Sequence, residues 1–154
     1  MKGKLSITVG IPGCGKSTWL DAEPLCLTDG FVILCPDDFR KDITGQDYYP
    51  PAEDFVWAQV KTTARVLARR GYHVVIDATA LSKWSRAQWV KIANDLEVDI
   101  TVYVFDTPIS ICKIRNASRD RKVPEDVIDR MYAQFQRPDE TEGFAQISKI
   151  RTWE

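Results

Sequence analysis

The stretch GIPGCGKST, residues 10–18, decides how the rest of the chain is interpreted. It fits the pattern G-x-x-x-x-G-K-[ST], in which glycines allow backbone N–H groups to turn inward around an anion. Residues 5–9, LSITV, alternate apolar and polar side chains as a strand does, and residues 18–22 can continue as a helix until Pro24. A strand, a glycine loop and a helix in this order predict a phosphate site for a nucleoside triphosphate.

Two residues of this loop carry specific chemical expectations. Lys16 is placed to reach the β- and γ-phosphates of the nucleotide, and the Ser17 hydroxyl is placed to bind a magnesium ion. The competing interpretation, a chance glycine-rich turn, is disfavoured because the motif and its flanking elements agree. We therefore predict that ATP or another nucleoside triphosphate binds with Mg²⁺. The predicted nucleotide contacts of the loop are Gly10, Gly13, Cys14, Gly15, Lys16, Ser17 and Thr18.

The length and composition indicate one ordinary globular domain, residues 1–154. The net charge of −1 excludes a strongly basic nucleic-acid-binding fold, so any nucleic acid must meet a local basic patch. No apolar run approaches about 18 residues and no charged-then-apolar leader is present, so we expect a cytoplasmic protein without a membrane span or signal peptide. Cys14, Cys26, Cys35 and Cys112 lack metal-ligand spacing and are expected to be reduced.

The rest of the chain alternates between the two types of secondary structure. Further strands are predicted at 31–34, 73–76, 99–105 and 144–150, and further helices at 53–70, 83–94, 109–116 and 124–136. Five strands alternating with helices predict an α/β, doubly wound parallel sheet. We expect the strand order 2-3-1-4-5 of a P-loop kinase fold, with a lid at about 115–123.

Acidic residues follow two of the predicted strands, at the edge where open α/β sheets bind ligands. Asp37 and Asp38 follow the second strand and Asp77 ends the third. Either Asp37 or Asp38 can orient or deprotonate an acceptor hydroxyl, although Asp38 is the better candidate for a helix cap and Asp37 could also be one. The arginine-rich stretch 115–122 can close over phosphates and exclude water. Because guanine-binding proteins usually need an Asn-Lys-x-Asp stretch, which is absent, this combination favours a kinase.

Several of these stretches resemble the polynucleotide 5′-hydroxyl kinases, most closely the kinase domains of bacteriophage polynucleotide kinase–phosphatases. The resemblance lies in the loop with Trp19, in PDDFR at 36–40, in FDTP at 105–108 and in RNASR at 115–119, followed by VPEDVIDRMY at 123–132. It implies a P-loop kinase that transfers the γ-phosphoryl group of ATP to a 5′-hydroxyl end of DNA or RNA. No phosphatase segment follows, so we expect any phosphatase or ligase partner to be a separate chain.

The resemblance also implies residue roles. Asp37 would act as the general base, Arg40 would hold the phosphate next to the acceptor hydroxyl, and Arg119, helped by Arg115, would cover the donor phosphates. Asp77 is offset by one position from the acid of the phage pattern, which leaves its role open between the metal site and holding Arg40. The lid is one residue shorter, so Arg121 has no counterpart. The implied catalytic residues are Lys16, Asp37 and Arg119, and the implied acceptor-side residues are Asp37, Arg40, Asp77 and Thr79.

Two other functions share these features. One is a kinase of a small-molecule alcohol or nucleoside, and the other is a nucleotide-binding switch or toxin-like module without nucleic-acid turnover. Trp57, Trp84 and Trp89 stand at helical positions and are expected to pack rather than to stack on bases. The adjacent pair Tyr48–Tyr49 could reach a nucleobase. His73 is expected to have no functional role.

Overall fold

The computed structural model describes residues 2–22 and 30–153 of the chain. The expected stop of the first helix at Pro24 and the thiol of Cys26 lie outside these ranges. The strands are β1 Lys4–Val9, β2 Phe31–Leu34, β3 His73–Ile76, β4 Ile100–Val104 and β5 Gln146–Lys149. The helices are α1 Lys16–Ala22, α2 Pro36–Thr44, α3 Glu53–Arg69, α4 Lys83–Leu96, α5 Ile109–Ala117 and α6 Glu125–Gln134, with short 3₁₀ turns at Pro50–Ala52 and Glu140–Glu142.

The strands form one parallel sheet in the order β2-β3-β1-β4-β5, which confirms the predicted fold and strand order. β1 lies at the centre, with Leu5 opposite Val74 of β3 on one side and opposite Ile100 of β4 on the other. All of its residues from 5 to 9 are buried. Because the strands are parallel, the loops after β1, β2 and β3 all emerge at the same edge of the sheet.

The helices flank this sheet and bury one face each. α3 buries Val56, Val60, Ala64 and Ala68, a four-residue repeat that brings one stripe of the helix against the core. Leu5, Ile7 and Val9 of β1 belong to the same buried cluster. Among the described residues, no helix has the length and apolarity needed to cross a membrane.

The start of α2 fixes the position of two candidate functional residues. α2 begins at Pro36, directly after β2, so that Asp37 and Asp38 stand in the first turn of the helix. Neither caps it, because the N-cap residue is Cys35 and it makes no side-chain cap bond. The helix ends at Thr44 and is capped by Gly45, whose φ of 72° is a conformation that glycine adopts without strain. The strands predicted at 99–105 and 144–150 are longer than β4 and β5 by one or two residues at each end.

Candidate active site

The loop between β1 and α1, residues 10–15, packs tightly against α5. Gly13 and Gly15 have φ angles of 84° and 98°, in the left-handed region. A Cβ atom at Gly13 would lie 2.4 Å from the carbonyl oxygen of Cys112, so this approach requires glycine. The backbone N–H groups of these two glycines donate to no group within residues 2–22 and 30–153, and both residues line a cleft. The loop presents N–H donors of the kind that hold phosphate.

The ammonium group of Lys16 lies on the floor of this loop. Its Nζ donates hydrogen bonds to the carbonyl oxygens of Gly10, at 2.7 Å, and Ile11, at 3.3 Å, and contacts Cys14 Sγ at 3.4 Å. Cys14 itself is buried, and burial raises the pKa of the neighbouring Cys112 thiol to about 11. Among the described residues, Cys14, Cys35 and Cys112 form no disulfide.

Ser17 and Asp77 meet at the ends of two neighbouring elements. The Ser17 hydroxyl donates to Asp77 Oδ2 at 2.9 Å, because β3, which Asp77 follows, lies directly beside β1. Burial raises the pKa of Asp77, while the hydrogen bond from Ser17 and the charge of Lys16 oppose that rise. The structure thus places Asp77 at the P-loop and not in contact with Arg40.

The pair of Ser17 and Asp77 fits the donor chemistry of Mg²⁺, which prefers oxygen ligands and usually retains water and substrate phosphates. The described residues contain no cluster of three or more His, Cys, Asp or Glu side chains that could hold a metal ion. A magnesium ion here would therefore take a hydroxyl and one carboxylate from the protein and its remaining ligands from phosphate and water.

Residues 78–79 are anchored to the central strand by hydrogen bonds. The Thr8 hydroxyl donates to the Ala78 carbonyl and accepts from the Ala78 N–H, both at 3.0 Å. The Gly10 N–H donates to the Thr79 carbonyl at 3.0 Å. Thr79 therefore lines the cleft from a position that these hydrogen bonds hold beside the P-loop.

The predicted acceptor side is organised by Arg40. Its guanidinium binds Glu53 through Nε at 2.9 Å and Nη2 at 2.8 Å, and it donates from Nη1 to Asp37 Oδ1 at 2.7 Å. Burial acts to lower the pKa of Arg40, but the hydrogen bonds to the two carboxylates raise it above its ordinary value. The side chain of Arg40 is 17% exposed, whereas that of Asp37 is 54% exposed. Asp37 is therefore held from one side and open to the cleft on the other.

The segment between α5 and α6, residues 118–124, lines the cleft. The Asn116 side chain joins the two ends of this segment, because it accepts a hydrogen bond from the Val123 N–H at 2.9 Å and donates one to the Val123 carbonyl at 2.7 Å. Arg121 reaches across to Asp37 Oδ2 at 3.6 Å and to Asp47 Oδ2 at 3.7 Å. The lid cation without a counterpart in the phage pattern thus contacts the proposed general base.

The two other predicted lid arginines differ in their surroundings. Arg119 is exposed and its side chain makes no hydrogen bond or ion pair to another described residue. Arg115 lies in the last turn of α5, within the helix, and donates to Thr152 Oγ1 at 2.9 Å and to the Thr152 carbonyl at 2.6 Å. A Cβ atom on Gly15 would lie 3.1 Å from Arg115 Nη1, so this guanidinium adjoins the P-loop.

These groups share one cleft of about 1460 Å³. Apart from Gly10, every residue predicted for the site lines it. Single-ligand pockets measure about 300–1,000 Å³, so this cleft has room for two substrates. A smaller pocket of about 370 Å³ opens beside the P-loop, between Gly15, Thr18, Arg115 and Thr152. The arrangement can hold a triphosphate at one end and a hydroxyl acceptor at the other.

Three residues at the site were not identified by the sequence analysis: Glu53, Thr152 and Arg86. Arg121 was assigned to the lid, but its contact with Asp37 was not predicted. Arg86 is fully buried, pairs with Glu142 at 2.7 Å and donates to the Ala80 carbonyl at 2.8 Å, which supports the loop after β3. Only Glu53 carried a signal, as an acid in the first turn of a helix. The tryptophans differ in their exposure to solvent. Trp89 is buried as expected, whereas Trp84 is 77% exposed and lines the cleft.

The comparison with known proteins agrees with this geometry. The L-seryl-tRNA(Sec) kinase of Methanococcus maripaludis is 25% identical over 138 residues, which are 87% of this chain and 53% of that protein. The bifunctional polynucleotide phosphatase/kinase of Schizosaccharomyces pombe is 24% identical over 152 residues, 96% of this chain and 33% of that protein. A chain in the structure of the Pnkp1/Rnl/Hen1 RNA repair complex is 28% identical with a TM-score of 0.76, covering 86% of this chain and 44% of that one.

The chain belongs to the AAA domain family, whose profile matches residues 5–138. The sheet order and the similarity to these proteins are those of a P-loop kinase fold. The chain spans about half or less of the length of each relative named here.

Proposed function

We propose that this protein transfers the γ-phosphoryl group of ATP to the 5′-hydroxyl end of a DNA or RNA strand. The observation that carries the proposal is the position of Asp37, which opens into the same cleft as Lys16 and Ser17. Arg40 holds this carboxylate and is itself held by Glu53. A general base beside a cation suits this acceptor, because the base can take the proton of the hydroxyl and the cation can bind the neighbouring phosphate of the strand.

Each residue then has a role in the transfer. The 5′-oxygen attacks the γ-phosphorus, the bond to the β–γ bridging oxygen breaks, ADP leaves, and Asp37 accepts or orients the proton of the hydroxyl. Lys16 and Arg119 neutralise the charge on the transferring group, because fixed cations in a closed site stabilise that charge better than water does. Mg²⁺, when bound, would neutralise and align the β- and γ-phosphates. Ser17 and Asp77 are the residues that would hold it.

The donor base fits the smaller pocket beside the P-loop. Its volume of about 370 Å³ suits a base, and it adjoins Gly15 of the phosphate-binding loop. Arg115, fixed by Thr152, offers a planar guanidinium that can cover an aromatic base. We therefore propose ATP as the donor and Arg115 as a helper residue that contacts it.

The test is phosphoryl transfer from labelled ATP to a panel of acceptors. A 5′-hydroxyl oligonucleotide should be labelled, as DNA or RNA, and the same strand carrying a 5′-phosphate should not. Labelling of a nucleoside or another small alcohol, with no labelling of any oligonucleotide, would reject the proposal in favour of a small-molecule kinase.

A second candidate is suggested by the similarity to L-seryl-tRNA(Sec) kinase. In that case the acceptor would be the hydroxyl of an amino acid carried on RNA rather than a strand end. A seryl-tRNA acceptor labelled in preference to a 5′-hydroxyl oligonucleotide would favour it.

A separate phosphatase or ligase partner belongs to the same proposal. The similar chain in the RNA repair complex is part of an assembly, and a 5′-phosphate end is the chemical form that strand joining consumes. Comigration of this protein with a ligase or phosphatase chain on size-exclusion chromatography would support it, and separate elution would not.

A further inference from the structure

A groove between α3 and α4 continues the cleft away from Asp37. Its α3 wall carries Trp57, Lys61 and Arg65, one turn of helix apart, and its α4 wall carries Trp84 and Gln88. The Lys61 ammonium donates across the groove to the Gln88 side chain, which ties the two helices together. The reaction described above does not use any of these five residues.

The charge of this groove is not neutralised. Among residues 2–22 and 30–153, neither Lys61 nor Arg65 forms an ion pair with a carboxylate, whereas Arg40 and Arg121 are both matched by acids. Burial, and next the charge of Arg65, lower the pKa of Lys61. The carboxylate on the same face of α3 is Asp54, at the end nearer the reaction centre. Two cations concentrated in the wall of a cleft, in a chain of net charge −1, attract an anion.

The aromatic side chains of the groove supply flat surfaces. Trp84 is 77% exposed, the most of any large apolar side chain described, and it lines the cleft. Trp57 is half-buried, and the Arg40 guanidinium stands 5.7 Å from the centre of its ring. Exposed tryptophan beside cations that can track a phosphate backbone is the combination that binds unpaired bases without sequence preference.

The dimensions of the groove set the length of the ligand. From Trp57 to Arg65 the helix rises about 12 Å, at about 1.5 Å per residue. That distance corresponds to about three stacked nucleotides at about 3.4 Å each.

We infer that the α3–α4 groove binds the single strand that follows the reacting 5′ nucleotide, with its phosphates on Lys61 and Arg65 and a base on Trp84. The inference rests on the proposed function and adds the substrate class, because a stacking platform requires unpaired bases. Duplex DNA or RNA whose 5′ end is fully paired does not offer them. The acceptor is therefore a single-stranded or frayed 5′ end.

The test uses two variants and two matched controls. Lys61→Gln/Arg65→Gln removes the cations, and Trp84→Ala removes the exposed ring. Lys2→Gln/Lys149→Gln changes two exposed lysines that do not line the cleft, and Phe55→Ala removes a side chain that is 55% exposed on another face of α3. The KM values for ATP, for a nucleoside 3′-monophosphate and for a 5′-hydroxyl tetranucleotide are measured for each protein. Binding of a fluorescent tetranucleotide, as DNA and as RNA, is measured by anisotropy.

Both groove variants should raise the tetranucleotide KM and Kd about tenfold or more, with KM for ATP and for the nucleoside 3′-monophosphate unchanged. The cation variant should also reduce the slope of log Kd against log salt by about 1.4, since each phosphate contact on a single strand contributes about 0.7. Equal effects on the two acceptors, effects as large in the controls, or equally tight binding of a blunt duplex would overturn the inference. If the wild-type protein phosphorylates no 5′ end, the proposed function fails, while the anisotropy measurement still decides whether the groove binds a single strand.

Discussion

The two ends of the cleft are built in different ways. At the donor end, the loop at residues 10–15 is shaped by glycine φ angles and by backbone contacts, and Lys16 and Asp77 are placed by the adjacent strands β1 and β3. At the acceptor end, Asp37 and Arg40 depend on side-chain ion pairs that join α2 to α3 and to the lid. The backbone shapes the donor end, whereas a network of charged side chains shapes the acceptor end.

This difference has a consequence for substitution. A backbone-shaped site tolerates changes in its neighbours because the sheet maintains it, whereas a charge network changes when any member is removed. We therefore expect donor affinity to be insensitive to variants on the acceptor side. Acceptor affinity should respond to residues that do not contact the substrate.

Replacement of Asp37 by Asn should have the largest effect on turnover. Loss of the proton acceptor should lower kcat for the 5′-hydroxyl acceptor by about 10²–10⁴-fold. KM for ATP should stay within about twofold, because the donor end does not depend on this carboxylate. Steady-state kinetics with both substrates varied provides the measurement. Asp38→Asn, at the exposed neighbouring position of the same turn, is the matched control and should behave as wild type. Equal losses in both variants would contradict the assignment.

Replacement of Lys16 by Ala should lower kcat/KM by about 10²–10³-fold, because one cation that stabilises the transferring group is removed. The loss should appear with every acceptor, including a small alcohol, since the residue belongs to the donor end. Lys16 also bonds two carbonyl groups of the loop, so its removal could disturb the fold. Thermal unfolding of the variant checks that the loss of activity does not come from misfolding. Lys2→Ala serves as the control on an exposed lysine. Full activity of Lys16→Ala would show that the P-loop is not the donor site.

Replacement of Glu53 by Gln tests the charge network directly. Arg40 would lose one of its two charged partners, and we expect KM for the polynucleotide to rise about tenfold, equivalent to about 1.4 kcal/mol. KM for ATP and kcat should change little, because Glu53 touches neither the loop nor Asp37. Glu125→Gln alters the first residue of α6 in the same way and is the matched control. A rise in KM for ATP that equals the rise for the acceptor would remove the distinction between the two ends.

The smallest effect concerns the pH dependence of stability. His73, the single histidine of the chain, contacts Ser6 Oγ through Nε2 at 2.8 Å, and burial, followed by the charge of Lys4, lowers its pKa. The unfolded chain therefore binds more protons than the folded one as the pH falls through about 6.5, and stability decreases in that direction. Above that pH the ring is neutral in both states and contributes no slope.

Urea unfolding at pH 7.5 and pH 5.5 measures this effect. The wild-type free energy of unfolding should fall more between these two pH values than that of His73→Gln. A steeper fall in the variant would show that the folded state favours the charged ring.

The fold and the donor end could be predicted from the sequence because their signals are local. The alternation in LSITV, the glycines of the loop and the acid after β3 each lie within a few residues of what they specify. The strand order was expected as that of the P-loop kinase fold, which the loop motif indicated, and the sheet has this order. The contacts of the acceptor end join positions far apart in sequence, 13 residues for Arg40–Glu53 and 84 for Arg121–Asp37, and no local pattern encodes them.

The contacts that support the site from behind also join residues far apart in sequence, so local patterns did not predict them. Arg86 and Glu142 are 56 residues apart, and Thr152 reaches the Cys14 carbonyl across 138 residues. The exposed Trp84 shows a further limit, because its helical position is compatible with packing or with exposure. Only the tertiary structure separates it from the buried Trp89.

The most direct test of the central claim is the chemical position of the transferred group. After incubation with γ-labelled ATP and a 5′-hydroxyl single strand, the product is digested to mononucleotides and the labelled species is identified. We predict one label per strand, in the 5′-terminal nucleotide as a 5′-phosphomonoester, and its loss in Asp37→Asn. Label found at the 3′ end, or only in a small-molecule acceptor, would contradict the assignment of the two ends of the cleft.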